Sequence, residues 1–273
     1  MKGVRLRANA LIGGFLLTVL GVTALLAVFW TPYRPLAINL RTKLQAPSAA
    51  HWLGTDEFGR DVLSRVMVAA SASVTVALVT VAAALIAGCA IGVIAGYGQG
   101  WIGRCLMAVM DALLAFPGIL LALAVMTIVG GKQWGIVVAL GVAYTPSVAR
   151  VVRGSVLSVA TREYVEASRM TGNSGVYTVL RHVLPNCLAP VIVLATAMLG
   201  WVLLAESGLS FLGLGVPPPA PTWGNMLAAS RPYMQSAVWL EFAPGACIAL
   251  TLLAVNMLGD ALRDWLDPRM RLV

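Results

Sequence analysis

Charge is what this 273-residue sequence lacks: Asp, Glu, Lys and Arg together make up 11% of it, where a soluble domain carries about a quarter. That scarcity excludes a soluble globular enzyme, a disordered chain and a nucleic-acid-binding module. Histidine occurs twice, as His51 and His182. Cysteine occurs four times, as Cys89, Cys105, Cys187 and Cys247, always in or beside apolar runs and never as CxxC. Neither a disulfide framework nor a zinc site is expected from that pattern. There is no GxxxxGK[ST] phosphate loop and no HExxH. What the chain does have is 59% hydrophobic residues and a mean hydropathy of +0.87. These residues fall in long uncharged runs, the pattern of a polytopic membrane protein.

A spanning helix needs roughly 20 apolar residues. On that measure we expect an all-α fold with six transmembrane helices, at 10–30, 71–97, 105–130, 134–150, 186–212 and 238–260. The first run follows Lys2, Arg5 and Arg7, as a signal peptide would. It is too long for one, and no small-x-small cleavage site comes after it, so it reads as a retained span. Residues 1–9 are an N-terminus, 31–70 and 213–237 extended loops, 151–185 a basic loop and 261–273 a charged tail, around a single transmembrane domain of about 70–260. Pro217, Pro218, Pro219 and Pro221 mark 213–237 as rigid. Lys132 and Gln133 mark a tight turn. Gly88, Gly92 and Gly96 repeat every four residues, which puts them on one helix face where a neighbouring backbone can approach.

With both termini inside, twelve of the nineteen positive charges lie in the inner segments. The positive-inside rule therefore places the termini and 151–185 in the cytoplasm, and 31–70 and 213–237 outside. Two acidic residues sit in or near spans, Asp111 and Glu206. An ionisable group there is either a structural partner, through capping or pairing, or part of a solute path.

The 151–185 loop has local order. Thr161 is placed to cap a helix over Arg162–Thr171, with Glu163 in the first turn and Gly172 at C′. Ser174 caps a second helix, on which Val176, Val179, Leu180, Val183 and Leu184 form one apolar stripe. Pro185 stops that helix or opens the next span. The loop thus reads as two short helices joined through Gly172 and Asn173 and lying at the membrane surface. The first exposes Tyr164, Glu166, Ser168 and Arg169, a docking knob for another protein.

These residues carry a family resemblance. Glu166-Ala167-Ser168, Gly172 and Leu184-Pro185 resemble the EAA loop of ABC importer permeases, E-A-A-x3-G-x9-I-x-L-P. Ser168 stands for the second alanine and His182 for the isoleucine. His51-Trp52-Leu53-Gly54-Thr55-Asp56, Gly59-Arg60-Asp61 and Ser64-Arg65 resemble the H-x-L-G-T-D-x-x-G-R-D-x-x-S-R signature of the second permease of the dipeptide/oligopeptide/nickel group. Ser71 stands where that group often has an arginine. The run 206–215, Pro217-Pro218, Trp223-Gly224, Asn256, 259–264 and Leu266-Asp267-Pro268 are similar to the same group.

The resemblance implies a type I importer permease fold in a bacterial inner membrane, with 151–185 as the coupling loop. It implies a homologous second permease, two ABC ATPase subunits that bind ATP and magnesium, and an extracytoplasmic solute-binding protein met by 31–70 and 213–237. This chain would bind no cofactor, metal or nucleic acid, only its partners and membrane lipid. Di- or oligopeptide is the leading cargo and nickel or a metal chelate the alternative, in which case His51 becomes a metal contact.

Two other function classes compete. An intramembrane protease is suggested by Gly208-Leu209-Ser210, but a serine nucleophile needs a base and no expected span holds a histidine. A passive channel has no use for a docking elbow.

Overall fold

The computed structural model describes residues 2–98, 100–130 and 133–266, with side chains between Ala8 and Trp265. Lys132 and the matched Asp267-Pro268 lie outside the described residues. Among those described, the fold is helical apart from one isolated bridge between Thr55 and Asp61. The helices are α1 Lys2–Phe29, α2 Val62–Tyr97, α3 Trp101–Leu114, α4 Gly118–Val129, α5 Gln133–Ala160, α6 Glu163–Met170, α7 Gly175–Thr178, α8 Leu184–Phe211, α9 Trp223–Ser230 and α10 Trp239–Leu266. Five helical stretches are long and apolar enough to cross a membrane, and α3 with α4 supplies a sixth if that pair is one span.

The centre of the bundle is α2 against α5, with α8 beside both and α1 on α10. The glycine row makes the central contact. A Cβ on Gly88 would sit 2.5 Å from Val148 Cβ, one on Gly92 2.7 Å from the Ala149 carbonyl oxygen, and one on Gly96 2.8 Å from Val156 Cγ1. The two backbones therefore meet over three successive turns, and only hydrogen fits at these positions.

One end of the bundle carries a cap built from residues 30–61 and α9. Asp61 caps α2, accepting from Ser64 N at 2.8 Å and Ser64 Oγ at 2.7 Å. His51 Nδ1 meets the other Asp61 oxygen at 2.9 Å, and its ring lies 4.7 Å from that of Tyr33. Asp56 accepts from the backbone of Phe58 and Arg60, both at 2.9 Å, and from Arg60 Nε at 2.6 Å. Gly54 and Gly59 both have φ +71°, and a side chain on Gly59 would strike the Asn39 carbonyl. The His51–Arg65 signature is thus the set of contacts that folds this cap. His51 is engaged there, and no group of three metal-ligating side chains exists among the described residues.

Several expected boundaries shift. The span expected at 71–97 begins at Val62, because the capped polar turn 61–65 starts the helix instead of ending a loop. The span expected at 105–130 is two helices bent by 99°. Pro117 lacks an N–H and disfavours helix at Phe116, so the helix breaks there. The span expected at 134–150 runs on to Ala160, which puts Arg153 on a helix and not in a loop and leaves Arg150 well inside it. The span expected at 186–212 begins at Gly175, since α7, one turn of π-helix at Val179–Val183 and α8 are continuous over Gly175–Phe211. His182 therefore does lie on a spanning helix. The 151–185 loop shrinks accordingly. Residues 213–237 contain α9, fixed by a Thr222–Asn225 capping box, and are not a simple proline-rich loop. The sixth span, expected at 238–260, extends to Leu266, and most of the expected N-terminus 1–9 is the start of α1.

Candidate functional site

The candidate site is the elbow between α5 and α8, at the end of the bundle opposite the cap. Arg162, with extended backbone, occupies the N-cap of α6 and makes no side-chain cap. Thr161 instead closes α5, its hydroxyl donating to the Ser158 carbonyl at 3.2 Å. Glu163 and Glu166 fall in the first turn of α6 and Arg169 in the last, each favourable to the helix dipole.

The helix ends in a Schellman arrangement. Gly172 N donates to Arg169 O at 3.0 Å and Asn173 N to Ser168 O at 3.3 Å, with Gly172 at φ +81°. Ser174 then caps α7, accepting from Tyr177 N.

The expected exposure of α6 holds only in part. Val165 and Ser168 point inward, so Ser168 is buried and not displayed. Its hydroxyl pairs with Thr178 Oγ1 at 3.1 Å and accepts from Asn173 Nδ2 at 3.2 Å. The serine that departs from the alanine pattern is thus the pin between the two arms of the elbow. Tyr164, Glu166, Ala167 and Arg169 remain exposed.

The expected apolar stripe divides. The π-turn adds a residue at Val179–Val183, where Leu184 N bonds to Val179 O, and so rotates α8 relative to α7. Val183 is buried, Leu184 half-buried, and Pro185 exposed on the opening turn of α8. Val176 is 70% and Leu180 60% exposed, and Met170 on α6 is 86% exposed. The elbow therefore leaves three large apolar side chains exposed on α6, α7 and the π-turn, with Glu166 and Arg169 exposed on α6.

The other two candidates stand apart from the elbow. Asp111 on α3 meets Arg150 on α5 at 2.6 Å. Glu206 on α8 is fully buried, accepts from Ser210 Oγ at 2.8 Å and lies 3.5 Å from Ser207 Oγ. Gly224 of α9 closes on this turn, where a Cβ would lie 2.5 Å from the Ser207 carbonyl oxygen.

Residues 88–272 match the family described as the binding-protein-dependent transport system inner membrane component. The chain belongs to this family. It is a multi-pass permease of the bacterial inner membrane. It is 41% identical over 265 residues to a putative peptide transport system permease protein of Brucella suis biovar 1, covering 97% of this chain and 89% of the relative. It is 40% identical over 270 residues to the dipeptide transport system permease protein DppC of Alkalihalophilus pseudofirmus, covering 99% of this chain and 89% of the relative. In fold it is similar to a chain of the inward-facing MetNI methionine ABC transporter, with TM-score 0.61 and 17% identity over 72% of this chain and 93% of that one.

Sequence reasoning misses several residues that organise the permease. Tyr97, at the end of α2, receives Arg169 Nε at 3.1 Å. Arg150 reads from the sequence as a loop charge and nothing more. Trp223 is fully buried and donates to the Val66 carbonyl at 3.2 Å, tying α9 to α2. Pairing a basic residue with Asp111 across helices is within reach of the sequence; the Tyr97 and Trp223 contacts, between distant positions, carry no local signal.

Proposed function

We propose that this permease and a homologous second permease form the path by which di- or oligopeptides, delivered by an extracytoplasmic binding protein, cross the inner membrane. The observation that carries the cargo is the likeness to a dipeptide permease across 99% of the chain. The elbow, residues 161–183, is the seat of one of two ATPase subunits, which bind ATP and magnesium. Its exposed Met170, Val176 and Leu180 beside Glu166 support that role. The charge asymmetry of the sequence supports placing the elbow in the cytoplasm and the cap outside, facing the binding protein. Movement of the seated elbow would then be passed to the spans, alternating access between the two sides.

The test is reconstitution. The two permeases, the ATPases and the cognate binding protein, in proteoliposomes, are expected to take up a labelled dipeptide only with ATP and the binding protein present. ATP-dependent uptake of nickel with no uptake of peptide would contradict the cargo.

A further inference from the structure

Arg169 reaches from α6 to α2. Its Nε donates to the Tyr97 hydroxyl at 3.1 Å, and its guanidinium carbon lies 4.6 Å from the centroid of the Tyr97 ring. The same ring packs on the other arm of the elbow, since a Cβ on Gly175 would lie 3.5 Å from Tyr97 Cε1. Tyr97 is half-buried between the two arms.

Tyr97 is also the last residue of α2. That helix has 36 residues, which at 1.5 Å per residue is about 54 Å long. The glycine row holds it rigidly to α5. At its far end it is bonded into the cap: Asp61 caps it, Arg65 Nε lies 3.4 Å from Asp56, and Trp223 donates to Val66 O. Beyond the Arg169–Tyr97 pair, α6 is held to α5 through Thr161 and Arg162 and to α7 through the Ser168–Thr178 contact, and neither link touches α2.

We infer that the Arg169–Tyr97 pair is the clasp through which displacement of α6 is passed to α2 and so to the cap, which makes Tyr97 a positioning residue for transport. The inference rests on α6 being the ATPase seat. Without the clasp, a push on α6 reaches α5 and, through Ser168 and Thr178, α8, with no side-chain link of its own to α2. With it, the push arrives on a rigid rod that ends where the binding protein docks. The ring face holds the guanidinium and the hydroxyl fixes its orientation.

The experiment uses the full complex in proteoliposomes and reads stimulation of ATP hydrolysis by the cognate binding protein, relative to basal hydrolysis. Arg169→Ala, at the edge of the docking surface, serves only as the second arm of a double-mutant comparison, and Tyr97→Ala should keep the ATPase subunits and basal hydrolysis. Stimulation should fall roughly fivefold, as loss of one cation–π contact and one hydrogen bond implies. Tyr97→Trp, which keeps a ring face, should retain most of it. The double alanine variant should be no worse than the worse single one, because both remove the same contact. A photo-crosslinker at Glu166 in the same preparations reports the seat independently. Crosslinked ATPase with unchanged stimulation in Tyr97→Ala overturns the clasp and leaves the seat standing. No crosslink in an active complex otherwise unaltered overturns both. If Tyr97→Ala does not assemble, Tyr97→Leu, which fills the space without a ring face or a hydroxyl, decides alone: undiminished stimulation overturns the clasp.

Discussion

Asp111 on α3 and Arg150 on α5 meet at 2.6 Å with both side chains more than half exposed. An ionised side chain facing hydrocarbon costs about 2.5–3.5 kcal/mol on insertion scales. Such a pair fits a face turned to water or to another protein better than one turned to lipid tails.

Removing one partner leaves the other charge alone on that face. Asp111→Asn and Arg150→Gln should each lower the amount of assembled complex several-fold, and the exchange Asp111→Arg with Arg150→Asp should restore it. Quantitative blotting of membranes and of purified complex checks this. Single variants that assemble normally would show that the pair is a water-exposed contact worth at most about 1 kcal/mol.

The glycine row supplies its own controls. Gly92→Ala places a methyl 2.7 Å from the Ala149 carbonyl oxygen, whereas Gly14 and Gly21 have no heavy atom within 4 Å of an added Cβ. Gly92→Ala should destabilise by about 1–3 kcal/mol, the usual cost of overpacking, and Gly92→Leu should prevent close α2–α5 packing. Gly14→Ala and Gly21→Ala should be neutral or slightly stabilising. Thermal melts in detergent compare the four.

Glu206 is fully buried with Ser210 donating to it. Glu206→Gln keeps an acceptor of the same shape and should melt close to the parent. Glu206→Ala opens a cavity and strands the serine, so it should lose about 2–4 kcal/mol. Equal melting temperatures for the two variants would mean that the carboxyl has no structural part.

At Gly172 the constraint is the backbone, since φ is +81° and no heavy atom lies within 4 Å of an added Cβ. A left-handed conformation costs an L-residue about 1–2 kcal/mol. Gly172→Val should therefore insert and pair with the second permease while holding less ATPase. Gly172→Asn, which tolerates the left-handed region, should retain more. ATPase co-purification ranks them.

How much of this is legible in the sequence depends on range. The Gly172 turn, the Ser174 cap and the acidic start of α6 are local and can be read directly. The spans are found because hydrocarbon demands long apolar runs. Their ends are misplaced where a polar turn begins a helix, as at Asp61, or where a helix runs on past a charge, as at Arg150 and Arg153. The bend at Pro117 is hidden in uniform hydrophobicity, although Phe116-Pro117-Gly118 holds the warning. The inward turn of Ser168 comes from its contact with Thr178 on the other arm, and the divided stripe from one extra residue in the π-turn. Neither leaves a mark on apolar spacing. Contacts such as Arg169 with Tyr97 depend on where distant segments meet, which no local pattern encodes.

The central claim is that the elbow seats the ATPase. A photo-crosslinking residue placed at Glu166 or at Met170, in an active complex, tests it most directly. The account predicts ATP-sensitive crosslinks from both positions to the ATPase, lost in Gly172→Val. Crosslinks absent from both positions while the complex still hydrolyses ATP and transports solute would contradict it.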